Sequence, residues 1–332
     1  LLLSGSQLFW IKRLSKKYVY KELERTELDD LLFRDTLKWH PDFDPNFDFD
    51  DKLHRFILTN DIAEGKDEDE LKDNDYNITS VYQVELKSLS KLRSLRRDQH
   101  VIKNMFRMRQ VGFFRDNIGD EEVMAKVNQA LVFDQLGENR CKLVTEMNFN
   151  GKAFLKEFTS HDGWYDAIVM HSYHTAPIPG EKMPRKKPGY KTRKDKDHFC
   201  RMGKKLIDAK IIMPTDPETV AEFGSFGKVK KNWKGIARHD DAAMACLNLS
   251  RFYEESEYSD WLYDYLDGLP ESEEKELAMK ILEEPYDKNE TSDEMFSALY
   301  LNADVKTETE KINEIFDLEQ KTRYRPSSSM GY

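Results

Sequence analysis

Three carboxylates far apart in the chain each stand at the end of a predicted element. Asp61 ends an apolar run, Glu146 ends a second, and Asp241 opens a stretch with helical periodicity. Neighbouring strands of one sheet run about 4.8 Å apart, so acids at their ends come together, and a helix packed on that sheet can add a third. Acids held that close repel one another unless cations stand between them. Mg²⁺ and Mn²⁺ favour such an all-oxygen environment. Two of these ions, about 3.5–4 Å apart, can activate an attacking water and stabilise the leaving oxygen of a phosphodiester. The chain has 62 acidic residues among 332, so spacing alone could select three by chance. The surrounding residues must carry the argument.

The elements that would position these acids follow from periodicity. Residues 56–60 form a short apolar run ending at Asp61, and 78–86 alternate as a second strand through Val81, Val84 and Leu86. Residues 65–70 read as a charged turn between them, and 109–114 as a third strand. Residues 120–136 carry Val123, Val127, Ala130 and Leu131 at helical spacing, closed by Gly137. A buried strand at 142–145 leads to Glu146, followed by a helix at 151–161 and a strand at 166–170. Further on, 197–209 reads as helix, 210–213 as a short strand, and 216–223 and 241–254 as helices. From 256 the composition turns acidic and helical, ending in a Ser/Pro/Gly-containing tail. The expected division is a lead-in over 1–50, a principal domain over 51–255 and a helical extension over 256–332.

The bulk numbers bound the partners. A net charge of -10 argues against a chain coated all round by nucleic acid but leaves room for a local basic groove. Residues 181–205 provide one, with 11 Lys or Arg against three Asp or Glu. Within it Lys182, Arg185, Lys186, Lys187, Lys191, Arg193 and Lys194 are interrupted by Pro and Gly, a pattern suited to lying along phosphates without reading bases. A solvated charged loop is the plainer reading of such a run. Cys141, Cys200 and Cys246 are odd in number and widely spaced, which points to a reducing compartment and to neither a disulfide framework nor a zinc ribbon. No apolar stretch approaches the roughly 20 residues a membrane span needs.

The local words are more specific. Asn60, Asp61, Ile62, Ala63, Glu64 and Gly65 come first, with Asp75 and Tyr76 downstream. Thr145, Glu146, Met147, Asn148, Phe149, Asn150 and Gly151 follow, and then Arg238, His239, Asp240, Asp241 and Ala242. In this order they resemble the nuclease domain of the large terminase subunit of tailed bacteriophages, over about residues 50–255. The resemblance implies an α/β fold with an RNase H-like mixed sheet flanked by helices, here carrying an acidic helical C-terminal extension. It also implies an endonuclease that cuts double-stranded viral DNA concatemers during genome packaging, using Mg²⁺ or Mn²⁺, two ions in all.

By the same resemblance Asp61, Glu146 and Asp241 are the catalytic, metal-binding acids, with Asp240 and Asp75 as further metal candidates. Of the paired acids, Asp241 is taken as the ligand and Asp240 as a helix cap or assisting group, with the reverse left open. His239 either orients a water or phosphate or packs at the helix start. Glu64 and Asn148 are supporting residues. The segment from Gly65 to Asp75 is longer and more acidic than the family's, which weakens the role of Asp75. No G-x-x-x-x-G-K-[ST] loop occurs, so the family's ATPase half is expected on a separate chain or in a part removed from this one. The implied partners are double-stranded DNA, that ATPase, the portal and the small terminase subunit, in the host cytoplasm. Two other readings remain: a different RNase H-like nuclease such as a Holliday-junction resolvase, and a non-catalytic module docking the packaging motor.

Overall fold

The computed structural model describes residues 21–22, 37–45, 47, 49–50, 53–63, 76–95, 98, 100–116, 121–147, 149–172, 186–190, 196–229, 232–235 and 239–283. The chain divides into two compact units, one of residues 1–95 with 100–283 and one of 96–99 with 284–332. All the elements below belong to the first.

The main sheet contains β1 (Lys21–Glu22), β2 (Lys38–Trp39), β3 (Phe56–Asp61), β4 (Asn77–Leu86), β5 (Phe106–Asp116) and β6 (Cys141–Val144), in the spatial order β1-β2-β5-β4-β3-β6. β3, β4 and β5 run antiparallel to their neighbours, whereas β6 lies parallel to β3. Beyond β6, Ile168 forms a parallel bridge to Leu143. Three antiparallel strands continued past the first by parallel ones make this an RNase H-like sheet. Two short strands share the outer edge of β5: β2 pairs with its far half, and β9 (Ile212–Met213) lies parallel to its near half. Between them the His40 N–H donates to the Val111 carbonyl at 2.7 Å, and the Thr215 hydroxyl to the Gln110 carbonyl at 2.6 Å. The register of β4 against β5 slips by one residue at Val81/Tyr82, a bulge that turns Gln110 into the interior. Trp39 lies directly over Gly112 there; a Cβ on that glycine would sit 2.7 Å from the indole ring.

Side-chain alternation sends β3 into two cores. Phe56 and Leu58 join Val81 and Leu143 under α3 (Glu121–Gln129) and α4 (Phe149–Phe158), which contribute Met124, Val127, Phe154 and Phe158. Ile57 joins Tyr82, Val84 and Val144 on the opposite face. That face is covered by α6 (Lys196–Asp208), α7 (Pro217–Ser225), α8 (Asp241–Leu247) and α9 (Leu249–Glu254), through Leu206, Phe223, Leu247 and Phe252. The acidic helices α10 (Ser256–Gly268) and α11 (Glu273–Glu283) share this second core through Tyr258, Leu262, Leu266, Ala278 and Ile281. The Tyr265 hydroxyl ties α10 back to the sheet, donating to the Leu53 carbonyl at 2.9 Å. Helices α1 (Leu89–Leu92) and α2 (Val101–Met105) link β4 to β5, and α5 (Trp164–Ala167) lies before the Ile168 bridge.

Four local features differ from the sequence expectation. The helix expected over 120–136 is α-helical only to Gln129 and continues as a π-helix over Ala130–Leu136, stopped by Gly137 at φ 87°. The strand expected at 166–170 starts late: Asp166 and Ala167 close the short helix α5, entered through Gly163 at φ 84°, before the bridge at Ile168 and β7 (Met170–Ser172). The helix expected over 241–254 is broken between α8 and α9 at Asn248, whose side-chain N–H donates to the Asn60 carbonyl at 2.9 Å. Part of the lead-in expected over 1–50 joins the core: Phe43 and Phe49 are buried and stack at 5.5 Å, with Phe43 also 5.1 Å from Trp39. The charged turn expected at 65–70 lies outside the described residues.

Two hairpins sit on the sheet's flank. β8 (Lys186–Pro188) pairs antiparallel with β7, and β10 (Phe226–Val229) pairs with β11 (Asn232–Gly235). Among the described residues no helix is long and apolar enough to cross a membrane.

Candidate metal centre

The site is set by strand period and register. On β3, Asp61 is two residues past Thr59 and four past Ile57, so it points to the face covered by α8. On β6 the same count from Val144 sends Glu146 to that face. Thr59 pairs with Val144 in the parallel ladder, and two residues further along both chains Asp61 comes level with Glu146. Tyr190 then forms a parallel bridge to Glu146 on its other side. Asp61, Glu146 and Tyr190 therefore stand in one row across the sheet. Gly189, at φ 72°, makes the turn that delivers Tyr190; a Cβ there would press on the Thr145 carbonyl at 3.2 Å.

Helix α8 closes the row from above. Its first residue, Asp241, is buried, and its Oδ2 accepts from the Tyr76 N–H at 2.9 Å, tying the helix start to the beginning of β4. His239 Nδ1 is 3.8 Å from the same Oδ2, and the His239 ring meets the Tyr76 ring edge-on at 5.0 Å. Asp240 does not cap α8: its side chain instead accepts from the Gly235 N–H at 3.0 Å, bracing the β11 hairpin. The capping of α8 comes from outside the helix, where Glu222 of α7 accepts from the Ala243 N–H at 2.9 Å. This leaves both aspartates facing away from the helix's own N–H groups.

Electrostatics reports the same convergence. Burial pushes the Asp61 carboxyl well above its ordinary range, and the charges of Asp241, Glu146 and Asp240 push it further, with Lys196 opposing. Burial also raises Glu222 to about 8, with Asp241 adding to the shift and the Ala243 N–H working against it. Tyr190 is held well above the phenol range by burial, then by Glu146 and Asp61, against Arg251. Four acids thus act on one small volume, met by the cations of Lys196 at the start of α6 and Arg251 of α9.

Of the residues singled out from sequence, the structure brings together Asp61, Glu146, Asp240 and Asp241, with His239 beside Asp241. Lys186 and Lys187 lie exposed on β8, paired with Ser172 and His171, a few residues before Tyr190. Glu64, Asp75, Asn148, Lys182, Arg185, Lys191, Arg193 and Lys194 lie outside the described residues. Among the described residues no group of three or more His, Cys, Asp or Glu side chains is close enough to hold a single ion. The donor set itself suits a hard divalent cation, being all carboxylate and mutually repelling. Sequence reasoning missed Tyr190, Glu222 and Arg251 as neighbours of the acids, whereas Lys196 belongs to the basic run singled out for DNA contact. Tyr190 carried one usable signal, a glycine before it in the middle of the basic run.

No family model and no curated protein matches this chain. Among the solved structures similar to this chain is the large terminase nuclease from the thermophilic phage G20c, at 15% sequence identity and a TM-score of 0.41, covering 75% of this chain and all of that one. At that depth the likeness says nothing about chemistry, which rests on the side chains above.

Proposed function

We propose that this chain is a divalent-metal-dependent endonuclease acting on double-stranded DNA. The observation that carries the reading is the row itself: Asp61 and Glu146 level on adjacent parallel strands, facing the helix that begins with Asp241. Asp61, Glu146 and Asp241 would hold the ions, with Asp240 assisting through whichever oxygen Gly235 leaves open. When bound, Mg²⁺ or Mn²⁺ would lower the pKa of a water and stabilise charge on the leaving oxygen.

The chain's own residues do the rest. The parallel ladder of β3 and β6 carries Asp61 and Glu146 to the same end of the sheet, with Glu146 held beyond β6 by its bridge to Tyr190. Helix α8 brings its acids in rigidly because Glu222, and not an aspartate, caps it. Lys196 lies close enough to act on Asp61 and would meet a phosphate entering the row. Lys186 and Lys187 extend that positive surface along the β7–β8 hairpin and would follow the backbone without reading bases. The finer reading comes from the three sequence words that end at these acids: the DNA is a viral concatemer, cut in the host cytoplasm at the portal. There the packaging ATPase and small terminase subunit would be partners.

The test is cleavage of supercoiled plasmid. Wild-type protein should nick and linearise it with Mg²⁺ or Mn²⁺ and not with EDTA. Asp61→Ala and Glu146→Ala should each lower the rate at least ~100-fold while keeping the folded circular-dichroism spectrum. Undiminished cutting by both purified variants would end the assignment. Running linear duplex beside a four-way junction separates a packaging nuclease from a resolvase, which would prefer the junction.

A further inference from the structure

The row of acids ends in a residue whose polar atom the fold leaves without an explanation. Tyr190 is 3% exposed, and its hydroxyl is fully buried with no hydrogen-bond partner among the described residues. A buried phenol left unpaired costs about 1–3 kcal/mol, and a core position could equally be filled by phenylalanine. The backbone gives no relief, because both main-chain groups of Tyr190 are already used. Its N–H donates to the Thr145 carbonyl at 3.1 Å and its carbonyl accepts from the Met147 N–H at 2.6 Å. These two bonds straddle Glu146, so the ring and the Glu146 side chain leave the sheet side by side.

The ring is also held firmly. Arg251 lies over its face at 5.4 Å and His171 meets its edge at 5.2 Å, the imidazole in turn fixed by Glu255 at 2.8 Å. A ring clamped on two sides cannot turn its hydroxyl outward to water. The parallel bridge to Glu146 sets the phenol ring beside that carboxylate, in the same row as Asp61.

We propose that Tyr190 is a positioning residue of the metal centre: when a divalent cation occupies the site, its buried hydroxyl donates to the Glu146 carboxylate through one ordered water. This orients the carboxylate for a divalent cation and rests on the nuclease reading above. Carboxylate ligands of metals are commonly oriented by such a partner, and losing the partner typically costs about 10–100-fold in metal affinity or activity.

Tyr190→Phe removes the hydroxyl and nothing else. Mn²⁺ binding to wild type, Tyr190→Phe, Glu146→Gln and the double variant is measured by calorimetry, with thermal unfolding in EDTA alongside. Tyr190→Phe should unfold in EDTA at the wild-type temperature or slightly above it, because no partner is lost there. Its Mn²⁺ dissociation constant should rise on the order of 10-fold, and in the Glu146→Gln background the same change should have no further effect. Wild-type Mn²⁺ affinity in Tyr190→Phe would overturn the proposal, as would an equal loss with and without Glu146. If Asp61→Ala and wild type bind Mn²⁺ alike, the metal centre itself fails and this proposal with it. Wild-type binding that needs Asp61 but ignores Tyr190 sinks the positioning role alone.

Discussion

The buried carboxyls of this chain are of two kinds. Asp61 is surrounded by other acids, so its ionised form is opposed by burial and by charge together. Asp216 is surrounded by donors, accepting from the Thr219 N–H at 2.8 Å and its hydroxyl at 3.1 Å, yet burial still raises it to about 6. Such an acid keeps its proton longer in the folded state than in the unfolded one. Its contribution to stability is therefore complete below about pH 4 and is lost as pH rises through about 6. Asp216→Asn keeps the capping oxygen and removes the titration. Relative to wild type, the variant should gain on the order of 2–3 kcal/mol between about pH 4 and 7. Urea unfolding at several pH values reads this directly, and parallel stability curves for the two proteins would refute it. At this scale the sequence was partly legible. Asp61 and Glu146 could be picked out because each ends a predicted strand within a distinctive local word, spacing alone being insufficient. Tyr190 and Glu222 could not, because each matters only through a pairing with a residue distant in the chain.

At the scale of elements, the decisive contact is the cap supplied to α8 by α7. A helix start with two adjacent aspartates would ordinarily use one of them on its own N–H groups. Here Glu222 accepts those N–H groups, while Asp240 braces β11 and Asp241 bonds to Tyr76. Glu222→Ala should leave the Ala243 N–H buried and unpaired, lowering stability by about 1–3 kcal/mol. Glu222→Gln should recover most of that loss by restoring an acceptor. Equal unfolding midpoints for wild type and Glu222→Ala would show that α8 finds its cap elsewhere. Element existence was readable from the sequence wherever burial enforced a clear period, as in β3, β4 and α6. It failed where a single residue overrides the period. Gly163 turns the chain into α5 in place of a full strand, and Asn248 breaks a continuous helical pattern because its amide is drawn to the Asn60 carbonyl. The β10–β11 hairpin was not anticipated, since four-residue strands rich in Lys and Gly show too little alternation to register.

At the scale of the whole molecule, charge is divided between surfaces. The chain carries -10 overall, with acid concentrated in α10 and α11, yet the β7–β8 hairpin beside the metal centre presents Lys186 and Lys187. If this hairpin lies along the DNA backbone, Lys186→Glu with Lys187→Glu should weaken binding and lower the salt slope by roughly 2. Fluorescence anisotropy of a labelled duplex across a salt series measures both effects, and an unchanged slope would remove the hairpin from the DNA surface. The mixed sheet flanked by helices was accessible from sequence through the resemblance and the strand pattern, and β9 falls within the short strand expected at 210–213. The other fragment on the edge of β5, β2, was not anticipated, because two residues show no alternation. Those two fragments have a consequence for the protein as a solute. An eleven-residue strand with one side open is a template on which other chains can polymerise. By roofing β5 from both ends, with His40 and Thr215 plugging the gap between, the fold denies that template to its neighbours. Crowded copies would then find no open run along β5 on which to pair strand by strand.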